Sequence, residues 1–135
     1  MFNKVMFSSA TDHWSTPKDC YDKLNEEFKF TDDPCPLMGS EGLARDWGQS
    51  VFVNPPYSEI KEWVAYAYSQ SCKGKTIVML IPSRTDTKWW HDYVMRAKEI
   101  RFIKGRLKFG GAKNSAPFPS CIVIFNATEE RKGEE

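Results

Sequence analysis

Long apolar runs are missing from this chain of 135 residues. The amino-terminal stretch MFNKVMFSSATDHW holds nothing long enough for a signal peptide or a membrane span. Cysteine is sparse: Cys20, Cys35, Cys72 and Cys121 form no CxxC and have no histidine pairs nearby. That pattern argues against a zinc site and against a disulfide framework, and it fits a soluble protein of a reducing cytoplasm. Internal repeats are absent. Net charge is nearly absent too, since 19 Lys/Arg against 18 Asp/Glu leave +1 and no global field to gather a polyanion.

The charge that exists is unevenly placed. Residues 1–60 carry five basic against ten acidic side chains, whereas residues 96–113 carry seven basic ones against the single acid Glu99. Such a run is either a solvated face or a phosphate-facing patch. The length suits one domain over residues 1–127, with the charged end at 128–135 expected to fray.

Periodicity supplies the elements. TPKDCYDKLNEEF predicts a helix with Thr16 as its cap, Pro17 at its first position, and Tyr21, Leu24 and Phe28 on one stripe. FKFTDDPCP reads as a short strand ending in an acidic, proline-rich turn, and residues 37–49 as a loop with one helical turn. SVFVN predicts a buried strand, and SEIKEWVAYAYSQS a helix capped by Ser58 with Ile60, Trp63, Val64 and Ala67 inward. KTIVMLIP has the composition of a central strand covered on both faces. DTKWWHDYVMRAK predicts another helix, and EIRFIKGRLKF and SCIVIF two more strands. Strands alternating with helices imply an α/β fold with a mostly parallel sheet, helices on both faces and an antiparallel last strand. Ligands of such sheets bind outside the carboxyl ends of the strands, where DPCP and NPPY both fall.

NPPY is an unusual way to end a strand. Asn-Pro and Pro-Pro are ordinary turn dipeptides, yet a turn alone leaves Tyr57 unexplained. Two prolines hold φ near −65° and remove two N–H donors. What remains are acceptors, the Asn54 side-chain oxygen and the Pro55 carbonyl, with an aromatic face beyond. That set suits a planar ring bearing an NH₂ group, such as adenine. Its nitrogen lone pair is delocalised into the ring. Hydrogen bonds to both amine protons pull the nitrogen toward tetrahedral geometry and stabilise the charge that develops on attack. Tyr57 can stack on a base that has left the helix.

Taken together, TDHWSTPKDCYDKL, FTDDPCP, ARDWGQSVFVNPPYS, MLIPSRTDTKWWH, IKGRLKFGG and APFPSCIVIF resemble the small phage-type DNA N(6)-adenine methyltransferases of the Dam family. The resemblance implies a reduced Rossmann-like class I methyltransferase fold and S-adenosylmethionine as cofactor. It also implies DNA as partner, no metal, no membrane, and a phage or prophage product acting in the cytoplasm of a bacterial host. It makes Asn54, Pro55, Pro56 and Tyr57 the catalytic motif. Trp14, Thr16 and Pro17 resemble the segment touching the methionine part of the cofactor. Asp33, followed by Pro34, resembles the acid placed for its α-amino group, and Asp46 the acid receiving its adenine amine; Asn54 borders both ligands. Phe109 or Phe118 resembles the second aromatic around the target base, with Arg106, Lys108 and Lys113 on DNA phosphates. Each has a plainer reading: Asp33 as a turn carboxylate bonding its own backbone, Asp46 as a surface loop residue, either Phe as core. Two features depart from the pattern. The usual glycine-rich loop is replaced by DPCPLMGSEG, and the short 37–49 stretch leaves Glu41 as the one obvious acid for the ribose hydroxyls.

The chemistry of NPPY also admits adenine in RNA or a glutamine amide as acceptor. A non-catalytic cofactor- or DNA-binding module is the reading from another class.

Overall fold

SVFV, TIVMLIP and SCIVIF are apolar throughout rather than alternating because both faces of their sheet are covered. The computed structural model describes residues 15–35, 41–109 and 116–126. Its sheet has four strands: β1 (Ser50–Val53), β2 (Thr76–Pro82), β3 (Glu99–Phe102) and β4 (Ser120–Phe125). Val51, Ile77, Met79, Ile81 and Val123 face one core, while Phe52, Val78, Leu80, Ile122 and Ile124 face the other. The helices divide accordingly. α1 (Lys18–Phe28) turns Leu24, flanked by Tyr21 and Phe28, to the second core. α2 (Ile60–Ser71) buries Ile60, Trp63, Val64 and Ala67 in the first, beside Trp89 and Trp90 of α3 (Lys88–Asp92). Truncating one such buried Leu or Ile to Ala costs about 2–5 kcal/mol in comparable cores. Polar groups are therefore pushed to the two ends of the sheet.

The strand order is β1-β2-β4-β3, with β1 and β2 parallel and β4 antiparallel to both neighbours. Three strands share one direction and only the last is reversed. It lies between β2 and β3, so two of the three ladders are antiparallel although most strands point one way. The link from β3 to β4 contains no helix among its described residues, and a strand that returns without a crossover must run back antiparallel. The carboxyl ends of β1, β2 and β3 and the amino end of β4 consequently share one edge of the sheet, the carboxyl edge.

Several elements are shorter than their patterns predicted. The strand expected in FKFTDDPCP is a single parallel bridge, Asp32 to Val51, beside β1. The strand expected through 109 stops at Phe102; Gly105 then takes φ +75°, which breaks an extended run. The third helix gives way at Tyr93 to a 3-10 turn, Val94–Arg96. Ser58 does not cap α2. It lies within a 3-10 turn, Tyr57–Glu59, and the helix starts at Ile60. Thr16 does not cap α1 either: Pro17 takes the cap position without a side-chain bond, because the Thr16 hydroxyl is engaged elsewhere. Trp14, Lys113 and the 128–135 tail lie outside the described residues.

Candidate active site

Asn54 leaves β1 at the carboxyl edge, only 3% exposed. Its Nδ2 donates to Thr16 Oγ1 at 2.9 Å, which turns the acceptor oxygen of the amide away from Thr16. Pro55 is buried, and its carbonyl accepts no hydrogen bond among the described residues. The Pro56 carbonyl, in contrast, accepts from the Glu59 N–H at 3.1 Å and starts the turn into α2. One proline thus keeps a carbonyl that no described donor uses, and the other secures the corner.

Tyr57 packs its ring against the first core and buries its hydroxyl, which has no hydrogen-bond partner among the described residues. Burial pushes its phenol pKa up, and the nearby Cys121 thiol adds to the effect. Burial also pushes the Cys121 thiol up to about 11, against a weaker opposing pull from the Ser83 hydroxyl. Both groups are therefore neutral at working pH. Phe118 meets the Tyr57 ring edge-on, with centroids 5.2 Å apart at 71°, a favoured aromatic geometry. Phe109 stands behind it, tilted against Phe118 at 6.1 Å and 1% exposed within the second core.

On the other side of Asn54 lie two neighbouring acids with different employment. Asp32 accepts both Arg45 guanidinium nitrogens, at 2.8 and 2.9 Å, and the Gly48 N–H at 2.9 Å. Those donors, the guanidinium above all, hold its pKa below the usual carboxylate value. Asp33 is exposed, and its Oδ1 accepts from the Cys35 N–H at 3.3 Å, the expected turn bond. Gly42 presses on this turn so closely that a Cβ there would lie 2.3 Å from the Pro34 carbonyl oxygen and 2.8 Å from the Trp63 ring. Glu41 is thereby brought beside the Asp33 turn.

A scan against protein-family models matches residues 4–133 to the family described as DNA N-6-adenine-methyltransferase (Dam). The chain belongs to that family. Among curated Dam-family relatives, the DNA N-6-adenine-methyltransferase of Haemophilus phage HP1 is 34% identical over 138 residues, covering 87% of this chain and 80% of that protein. The protein of the same name from Escherichia phage T1 is 30% identical over 120 residues, covering 73% of this chain and 48% of its own length.

Of the positions the Dam-family pattern marks, Thr16, Pro17, Asn54, Pro55, Pro56, Tyr57 and Phe118 are brought to one edge, with Asp33 and Pro34 beside them. Thr16 joins in a way the sequence did not suggest, as a direct partner of Asn54 across 38 positions, for which no local pattern exists. Asp46 is not brought to that edge. It precedes β1 and is held by Lys73 at 2.7 Å and the Gln70 amide at 2.9 Å, beyond the far end of α2. Because α2 runs from the carboxyl edge back to the opposite one, Asp46 lies at the end of the sheet away from Asn54. Of the two phenylalanines considered, Phe109 is core and Phe118 meets Tyr57. The basic run also divides. Arg101 is saturated by Glu27, at 2.8 and 2.7 Å, and by Glu99 at 2.6 Å, with its guanidinium 5.6 Å from the Phe28 ring centroid. Arg96 lies over Tyr68 and donates to the Asp92 carbonyl. Lys104, Arg106 and Lys108 are exposed and form no ion pair among the described residues.

Proposed function

We propose that this chain, an adenine-specific DNA methyltransferase by family, moves a methyl group from S-adenosylmethionine to the exocyclic N(6) amine of an adenine in DNA. The observation that carries the reading is the corner Asn54–Pro55, two acceptors at the carboxyl end of β1, followed two positions on by Tyr57, whose ring meets Phe118. Asn54 Oδ1 and the Pro55 carbonyl accept one amine proton each, a set that binds the amine more strongly as positive charge develops on it. Tyr57 and Phe118 hold the extruded base by stacking, for which the edge-on ring pair has to open. No strong base is required, because the proton can leave once the nitrogen is cationic. Thr16 holds the Asn54 amide in the accepting orientation.

S-adenosylmethionine, when bound, supplies an electrophilic methyl group on its sulfonium. The residues present fit it: the exposed Asp33 carboxylate suits the α-ammonium, and Glu41, beside the same turn, suits the ribose hydroxyls. The sheet order, with a reversed strand inserted beside parallel ones, supports a reduced Rossmann-like methyltransferase architecture. The phage origin of both relatives supports work on DNA in the cytoplasm of a bacterial host. Among the described residues no helix is long and apolar enough to cross a membrane, and no group of three His, Cys, Asp or Glu could hold a metal ion.

The test is incubation with labelled S-adenosylmethionine and separate DNA, RNA and protein acceptors. Label is expected in DNA, recovered as N(6)-methyladenine. Label in RNA or protein alone would replace the acceptor, and no transfer at all would leave a binding module.

A further inference from the structure

Arg84 follows β2 on the carboxyl edge, and its main chain is fixed from both sides. Its N–H donates to the Pro82 carbonyl at 2.9 Å, and its own carbonyl accepts the Thr87 N–H at 3.2 Å and the Thr87 hydroxyl at 2.7 Å. One residue earlier, the Ser83 N–H donates to the Pro119 carbonyl at 2.9 Å, tying this turn to the segment that carries Phe118. The side chain is treated differently. It is exposed and makes no ion pair or hydrogen bond among the described residues, although Asp86 is two positions away. The described arginines away from this edge are all engaged: Arg45 by Asp32, Arg96 over Tyr68, Arg101 by Glu27 and Glu99.

A guanidinium on an immobilised backbone, with its donors free, is matched to a phosphate, which it can grip through two parallel hydrogen bonds. The place is one where a phosphate is needed. Extruding a base swings its nucleotide about the backbone, at a cost of a few kcal/mol that contacts to the flanking phosphates must offset. Lys104, Arg106 and Lys108 hang from the stretch after β3, the strand farthest from β1 in the sheet order, whereas Arg84 follows β2, the direct neighbour of β1. We infer that Arg84 binds a DNA phosphate flanking the target adenosine and holds the extruded nucleotide against the Asn54 corner. This rests on the DNA-methylation reading above.

The experiment compares wild type, Arg84→Ala and Arg84→Lys in DNA affinity across a salt series, with S-adenosylmethionine affinity and melting temperature as controls. Arg84→Ala is expected to weaken DNA binding about tenfold at low salt and to lower the log–log salt slope by about 0.9. The loss should be equal on unrelated DNA sequences, with cofactor affinity and melting temperature unchanged. Arg84→Lys should restore the slope but only part of the affinity, since a point charge replaces the fork. An unchanged slope in Arg84→Ala, with wild type showing full salt dependence, overturns the inference and leaves the methylation reading intact. Loss confined to certain sequences would make Arg84 a base reader, and loss of cofactor affinity would move it to the other ligand; both outcomes overturn the phosphate assignment. If wild type neither binds nor methylates DNA, the underlying reading fails and the inference with it.

Discussion

The two edges of the sheet treat polar atoms in opposite ways. At the amino edge Lys75, 7% exposed, donates to the Trp47 carbonyl and to Gln70 Oε1. The same oxygen accepts the Trp47 N–H at 3.0 Å, while the Gln70 NH₂ group donates to Asp46. Every member of that network has a partner. At the carboxyl edge the hydroxyls of Tyr57 and Ser120 are buried with none among the described residues, and Arg84 and Arg106 extend unpaired. A buried donor left unsatisfied costs roughly 1–3 kcal/mol. Among the described residues, most of the buried side-chain atoms left without a partner thus lie at the NPPY end, with Trp63 Nε1 the exception under α2, as expected where groups are arranged for a ligand rather than for each other.

The largest test of this contrast is Asn54→Ala. Methyl transfer should fall on the order of 10² or more, by analogy with removal of one oxyanion-hole donor, with cofactor affinity within a few-fold. Near-normal rates would reduce NPPY to a turn. Its counterpart at the other edge is Gln70→Ala, which strands the Trp47 N–H and deprives the buried Lys75 of an acceptor. Unfolding in urea should show a loss of about 2–4 kcal/mol, with cofactor affinity unchanged in the folded fraction. If this variant lost cofactor binding while keeping its stability, the division of labour between the edges would be wrong.

Asp33→Ala should weaken S-adenosylmethionine binding about tenfold or more, because the charged acceptor for an ammonium is removed. Calorimetry showing equal affinity would return Asp33 to its plainer role as a turn carboxylate. Tyr57→Phe keeps the ring and deletes the stranded hydroxyl. Thermal denaturation should show it as stable as wild type or up to about 1 kcal/mol more so, with methylation within a few-fold. Clear destabilisation would mean that the hydroxyl has a partner in solution.

The smallest effect is expected of Asp46→Asn. Lys73 first, then the Gln70 amide, lower the Asp46 pKa to about 2. A carboxylate depressed on folding contributes stability that is present above its ordinary range and lost as pH falls from about 4 toward 2. Wild type should therefore lose slightly more stability than the variant over that window, and the difference should shrink with salt because the pair is exposed. Cofactor affinity should not change. A large drop would return this acid to the cofactor site and overturn its position at the amino edge.

Much of the fold was legible in residue patterns. TIVMLIP and SCIVIF are apolar on both faces because they are central, and Ile60, Trp63, Val64 and Ala67 mark the buried side of α2 without ambiguity. The candidate corner could be picked out because its acceptors and ring lie in one contiguous tetrapeptide. What periodicity does not carry is which end of an element a loop residue meets. Asp46 is close to NPPY in sequence and far from it in space, since β1 intervenes. Asp32 and Asp33 are adjacent and look equivalent, yet only the fold gives one of them Arg45. Arg101 and Arg106 belong to one basic run, and only the approach of α1 gives the first its Glu27. Thr16 carried the signature of a helix cap, a local expectation that a contact with Asn54 overrode.

The insertion of β4 between β2 and β3 has a consequence for synthesis. On a ribosome the chain emerges from its amino end, so β1, β2 and β3 are complete while the slot between the last two is still empty. The ladders flanking that slot join residues far apart in sequence, contacts that form late and slowly. Until residues 120–125 have cleared the exit tunnel, β2 has an open edge and both cores lack a wall. Phe118 emerges just ahead of β4. A nascent chain therefore holds NPPY well before it has the second ring to face it. Completion of the sheet and formation of the Tyr57–Phe118 ring pair thus come together.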